Sequence, residues 1–161
     1  EAGNYLDKAN TLSPNNPIVL NNLGALAAAK GDDAAAKAFY SQAKGKGVDV
    51  SYNSGILLIK DGDYQAALSS FGSKGCNYNV ALAQTLSNKL ADAAKTLACA
   101  PENAEVFYLM AIVGARQNNA TNVYENLKKA IAADGSYKAQ AAADREFIKF
   151  FENAEFQAIV K

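Results

Sequence analysis

The chain has no histidine and no tryptophan, and its 161 residues include only two cysteines, three prolines and one methionine. It also lacks a net charge, since sixteen Lys and Arg balance sixteen Asp and Glu. Each lack removes a class of function. Without histidine the chain loses the commonest general base, the commonest metal ligand and the side chain that titrates near neutral pH. The charge balance holds locally, with seven of each sign over Glu1–Val80 and nine of each over Ala81–Lys161. Nucleic acids and anionic membranes are both held through a basic excess, so neither is an expected partner. No apolar run approaches the roughly 18 residues of a membrane span, which argues against direct membrane insertion. Cys76 and Cys99 form neither a CxxC pair nor part of a ligand cluster, which argues against zinc. No cofactor is expected, and the composition argues against an enzyme.

What the chain does have is alanine. Half of the residues are hydrophobic, yet the mean hydropathy is only −0.14, because alanine makes up much of that half. Alanine loses no side-chain entropy in a helix, and β-branched residues are not clustered into strands. Gly31-Asp32, Gly62-Asp63, Asn88-Lys89 and Asn118-Asn119 each follow an apolar-periodic stretch, as a left-handed helix stop does. The periodicity predicts helices over 2–12, 17–30, 33–45, 49–60, 64–73, 78–87, 90–99, 104–117, 120–133, 136–142, 144–151 and 153–160. The fold class is all-α. The chain starts without an initiator Met, so Glu1 is expected to follow a cleavage or a boundary within a longer chain.

A repeat organises these helices. Gly24, Gly55, Ala81 and Ala111 are small residues in the first helix of four successive pairs. Seven residues after each stand the turn residues Gly31, Gly62, Asn88 and Asn118. Twelve residues after each stand Ala36, Ala67, Ala93 and Val123, and four further on Tyr40, Phe71, Leu97 and Leu127. The anchors themselves are 31, 26 and 30 residues apart, so the spacing is kept inside each unit and relaxed between units. Helix-hairpin packing accounts for this ruler. Two small residues let the backbones approach, and a bulky residue one turn along the same face fills the gap beside them. A lone hairpin cannot bury both faces, so units stack.

This pattern resembles the tetratricopeptide repeat. The closest stretch runs from Tyr52-Asn53-Ser54-Gly55 through Asp61-Gly62-Asp63-Tyr64-Gln65-Ala66-Ala67-Leu68 to Phe71. In the first 17 residues Ala2, Leu6, Ala9 and Pro14 fall at the family's Ala, bulky, Ala and Pro places. The resemblance implies a right-handed α-solenoid forming one domain. Residues 1–16 are the second helix of a preceding half repeat, 17–47, 48–73, 74–103 and 104–135 are four repeats, and 136–161 are capping helices. The family's first-helix Tyr is replaced by Ala27, Leu58, Gln84 and Gly114, and the 26-residue step is short of the family's 34. A truncated second helix near 71–75 is therefore expected. Asp144-Arg145-Glu146-Phe147, Phe150-Phe151 and Glu155-Phe156 resemble the tail that closes many bacterial arrays. That likeness implies a cap and favours a bacterial envelope location.

The resemblance also implies a concave groove lined by the first helices, which binds a partner protein segment. Asn22, Asn53 and Asn79 lie two residues before three of the anchors, and Tyr52, Tyr78 and Tyr108 three residues before three of them. An amide both donates and accepts, so one Asn brackets a peptide unit. Tyr adds flat apolar area with a polar tip. The competing reading has the same Asn capping helices and the same Tyr packing between units. A carboxylate clamp is not expected, because the third unit offers Gly75 and Asn79 where related modules carry cations. Lys60 and Arg116 read as isolated, solvated helix charges. Asp32-Asp33 and Asp61-Gly62-Asp63 read as N-terminal helix caps, and Gly45-Lys46-Gly47 as a helix stop.

Cys76 and Cys99 are expected near the ends of second helices in neighbouring units, from where they could approach each other, and a bridge would add about 3 kcal/mol by closing a 24-residue loop. Free, partly buried thiols are the preferred expectation. The expected function is a non-catalytic module that binds a partner peptide or helix in its groove, with possible self-association through the open N-terminal repeat face. The alternative is a structural spacer or scaffold segment of a longer repeat protein, with an empty groove.

Overall fold

A computed structural model of the chain describes residues 2–72 and 75–161, and no strand forms among them. The fold is all-α, built from helices packed in adjacent pairs within two compact units, Glu1–Ser73 and Lys74–Lys161. The boundary between the units falls inside the short 26-residue step. The first unit holds α1 (Ala2–Leu12), α2 (Pro17–Ala29), α3 (Asp33–Lys44), α4 (Ser51–Lys60) and α5 (Tyr64–Phe71). The second holds α6 (Tyr78–Leu86), α7 (Leu90–Ala98), α8 (Ala104–Arg116), α9 (Ala120–Ala133), α10 (Ser136–Ala143), a 3-10 helix Arg145–Phe150 and α11 (Ala154–Val160). The pairs are α2 with α3, α4 with α5, α6 with α7 and α8 with α9.

The same turn closes the first helix of all four pairs. Gly31 and Gly62 both have φ +83°, and Asn88 and Asn118 have φ +59° and +56°. Only glycine enters this region without steric cost, and Asn tolerates it best among the others. In each turn the N–H three residues past the helix reaches back five residues, from Asp32 to Ala27, Asp63 to Leu58, Lys89 to Gln84 and Asn119 to Gly114. This satisfies carbonyls that a helix end otherwise leaves bare. Asp32 and Asp63 then cap α3 and α5, accepting from Ala35 N at 3.0 Å and Ala66 N at 3.1 Å. Asn119 does the same for α9, accepting from Asn122 N at 3.1 Å. Lys89, at the start of α7, makes no side-chain cap bond.

The ruler residues are the core of each pair. All four anchors, all four residues twelve on and all four bulky residues are buried. A Cβ on Gly55 would stand 2.5 Å from the Phe71 ring, and one on Gly24 would collide with the Tyr40 ring. Where the bulky partner is Leu97 or Leu127 instead of an aromatic ring, the anchor is Ala81 or Ala111. Helix separation is thus set by the pair, small against large.

Four expectations need correction. Cys76 and Cys99 are not free thiols: they form a disulfide with a Cα–Cα distance of 5.0 Å. Cys76 precedes α6 and Cys99 caps the C-terminus of α7, so the turn of this hairpin brings its two open ends within bridging range. Residues 144–151 are not an α-helix. Asp144 accepts from Glu146 N at 3.0 Å, and Phe147 N bonds Asp144 O at 3.0 Å, so the segment winds with three residues per turn. That pitch places Phe147 and Phe150 on one face, and both are buried against α8 and α9 together with Phe156 of α11. Each such ring contributes roughly 1.5–3 kcal/mol. The expected helix ending at 73 stops at Phe71, where Gly72 takes φ +61°, and the rest of that segment, 73–74, lies outside the described residues. Lys60 and Arg116 are not isolated charges, as their geometry shows next.

Candidate functional site

In the first unit α2 and α4 are joined by two side-chain links. Asn53 Nδ2 donates to Asn21 Oδ1 at 3.0 Å, and Lys60 Nζ donates to Asp33 Oδ1 at 2.8 Å and Ala28 O at 3.4 Å. Asn53 and Lys60 are seven residues apart on α4, so the links stand two turns apart. Between them opens a cavity of about 260 Å3, walled by Ala25, Ala28, Ala29 and Ile56 and bounded by Asn53 and Lys60. Small residues on α2 create the space. Three alanines leave room where longer side chains would fill the cleft between the helices. A second cavity, of about 310 Å3, lies between α3 and α4, with Tyr40, Val50 and Leu57 lining it and Lys37 and Lys44 at its edge. Lys37 is paired with Asp61 at 2.7 Å.

Of the anticipated binding residues in this unit, Asn53 is half-buried at the cavity rim. Asn22 is exposed, and the amide that meets Asn53 belongs to its neighbour Asn21. Tyr52 is half-buried, with its ring packed 5.5 Å from that of Phe71. Tyr52 is therefore in contact with the hairpin core as well as with solvent.

In the second unit Asn77 caps α6 by accepting from Asn79 N at 2.9 Å, and both Asn79 and Tyr78 are half-buried. Burial pushes the Tyr78 phenol up, and the charge of Glu105 and the nearby Tyr137 add to the effect. Tyr137 is likewise raised, by burial first, then by the charge of Glu105 and then by that of Asp134. Tyr108 is only 5% exposed. Its ring stacks 4.7 Å from Tyr137, and its hydroxyl donates to Asp144 Oδ2 at 2.8 Å. Burial, followed by Asp144, raises its phenol strongly. Tyr108 thus packs the end of the unit and offers little surface to a ligand. Gln84 Oε1 on α6 is buried and accepts no hydrogen bond among the described residues.

Arg116 closes this unit. Its Nε and Nη2 donate to the two oxygens of Glu146 at 2.9 and 2.5 Å, and its Nη1 donates to Thr85 O at 2.7 Å. The guanidinium holds the Glu146 carboxyl below the usual range, against an opposing push from burial. Lys60 and Arg116 do equivalent work, because each lies five residues after its anchor. Each donates to a carbonyl four residues after the preceding anchor, Ala28 or Thr85, at the C-terminal end of that helix. Their shared place in the ruler was the signal in the sequence. Considered one at a time, they look like ordinary surface cations.

No helix of the described residues is long and apolar enough to cross a membrane. Comparisons with protein families, with curated proteins and with solved structures give no match to this chain.

Proposed function

We propose that the chain is a non-catalytic interaction module of tetratricopeptide type, a right-handed α-solenoid that holds a segment of a partner protein against its first helices. The fourfold ruler and its four equivalent turns support the repeat reading. The observation that carries the binding reading is the cavity between α2 and α4, apolar along its walls and bordered by the Asn53 amide. A bulky apolar side chain of the bound segment would fill the cavity, while Asn53 pairs with the peptide backbone beside it. Burying one such side chain gives about 1.5–3 kcal/mol, and a hydrogen bond adds about 1 kcal/mol. That total corresponds to millimolar binding at best, so useful affinity requires contacts along several first helices. The absence of histidine fits a role in which recognition is the whole function.

The test uses peptides selected from a random library on the oxidised protein. Ala25→Arg fills the cavity from an exposed wall position and leaves the hairpin core untouched. Selected peptides should lose at least about tenfold in affinity for this variant, equal to one lost contact of about 1.4 kcal/mol, with the circular dichroism spectrum unchanged. Peptides that bind the variant as well as the parent would remove the groove reading and leave the role of a rigid spacer.

A further inference from the structure

The repeat ruler is broken at one inward-facing place in the first unit, and a cavity opens there. One position before the anchors Gly24, Ala81 and Ala111 stand Leu23, Val80 and Met110, all apolar and buried or partly buried. The same place on α4 carries Ser54, which lacks the carbons to reach the facing helix. The cavity of about 310 Å3 between α3 and α4 lies at this point. Its walls follow helical spacing. Lys37, Tyr40 and Lys44 are i, i+3, i+7 along α3, and Val50, Ser54 and Leu57 are i, i+4, i+7 from the cap of α4. One stripe of each helix therefore faces the other.

The polar groups around the cavity set it apart from a simple packing gap. A second, more polar cavity of about 310 Å3 adjoins it, and Lys44, Val50 and Ser54 line both. A cation and a hydroxyl thus stand where the apolar chamber meets the polar one. Lys37 is paired with Asp61, but Lys44 Nζ and Ser54 Oγ meet no partner among the described residues. Tyr40, one helical turn before Lys44, is 4% exposed, and its hydroxyl also has no partner among them. Burial pushes that phenol up, so it stays a hydrogen-bond donor. An apolar chamber whose unmet polar groups can all donate suits a ligand with an aliphatic body and an anionic acceptor. Asp49 lines the polar cavity, where its carboxylate accepts from Ser51 N at 2.9 Å and repels an anion that moves farther in.

We propose that the α3–α4 cavity is a binding site for a straight-chain aliphatic carboxylate, with its chain along Tyr40, Val50 and Leu57 and its head group on Lys44 Nζ and Ser54 Oγ. About ten heavy atoms, each taking roughly the 30 Å3 of a water molecule, fill this volume, which is the size of octanoate. The site does not depend on peptide binding between α2 and α4, although Tyr40 and Leu57 line both cavities.

Titration with octanoate, hexanoate and octanol, followed by amide NMR shifts, tests this. Octanoate should bind about fifteenfold more tightly than hexanoate, from about fourfold for each buried methylene, with shifts centred on Tyr40, Val50, Ser54 and Leu57. Lys44→Met removes an exposed charge outside the core. It should weaken octanoate about fivefold, the worth of an ion pair of roughly 1 kcal/mol, while octanol binds as before. Ser54→Leu restores the residue type of the other repeats and fills the cavity. It should cost octanoate at least about tenfold with the circular dichroism spectrum unchanged. Equal affinity for hexanoate and octanoate, or undiminished octanoate binding by either variant, would overturn the proposal. So would shifts confined to Ala25, Ala28 and Ile56, which line the cavity between α2 and α4.

Discussion

The pairing of a small anchor with a large partner makes a quantitative prediction at Gly55 and Phe71. Adding a methyl group at Gly55 places it 2.5 Å from the ring, and ordinary contact begins near 3.4 Å, so the ring must retreat by about 0.9 Å. Phe71 is 1% exposed and also packs on Tyr52, which leaves it little room. Overpacking of this kind costs about 1–3 kcal/mol, partly offset by the roughly 1 kcal/mol that Ala gains over Gly in a helix. Gly55→Ala alone should therefore destabilise the α4–α5 hairpin by up to about 2 kcal/mol, with about 1 kcal/mol as the central value. Phe71→Leu alone removes three buried carbons and should cost about 2 kcal/mol. Together the two changes recreate the Ala81–Leu97 and Ala111–Leu127 pairs, so the clash disappears and the methyl group fills part of the space. The double mutant should lose only about 1 kcal/mol, a favourable coupling of about 2 kcal/mol. Native-state hydrogen exchange of amides in α4 and α5 reads this quantity locally, without assuming that the whole chain unfolds as one. Additivity of the two single effects to within about 0.5 kcal/mol would refute the idea that these residues set the helix separation.

Other consequences are simpler. Lys89→Asp gives α7 the N-terminal cap that Asp32 and Asp63 give α3 and α5, and should stabilise α7 by about 1 kcal/mol, read as slower exchange of its first amides. Reducing the Cys76–Cys99 bridge reopens a loop of 24 residues and should lower the stability of the second unit by about 3 kcal/mol, and coincident urea curves with and without reductant would contradict this. Glu146 is lowered chiefly by its hydrogen bond from Arg116, so its contribution is complete above the ordinary value of 4.5 and is lost as pH falls through the lower folded value. Glu146→Gln should flatten that acid limb of stability against pH, while an unchanged slope would place the effect elsewhere.

Much of the fold was legible because the relevant signals are local. Each turn is encoded by one Gly or Asn, the caps of α3, α5 and α9 by an Asp or Asn three residues ahead of the amide that donates to it, and each core contact by a fixed offset within about 16 residues. The misreadings involve partners farther away or an unusual pitch. Arg116 and Glu146 are thirty residues apart, and nothing in the periodicity of either helix points to the other. Cys76 and Cys99 looked like helix-end thiols until the α6–α7 hairpin placed its open ends together. The 3-10 helix was hidden because Phe147, Phe150 and Phe151 suit an α-helical count nearly as well. The α2–α4 cavity was foreshadowed by Asn53, but its walls are alanines, which read as plain helix formers. Tyr108 carried the same spacing as Tyr52 and Tyr78, and only the position of Asp144 explains its burial.

Hydrogen exchange of the protein bound to a library-selected peptide tests the groove reading most directly. Slowed exchange concentrated in the first helices, Pro17–Ala29 and Ser51–Lys60 of the first unit, is the predicted result. Protection confined to the second helices, Asp33–Lys44 and Tyr64–Phe71, would contradict it.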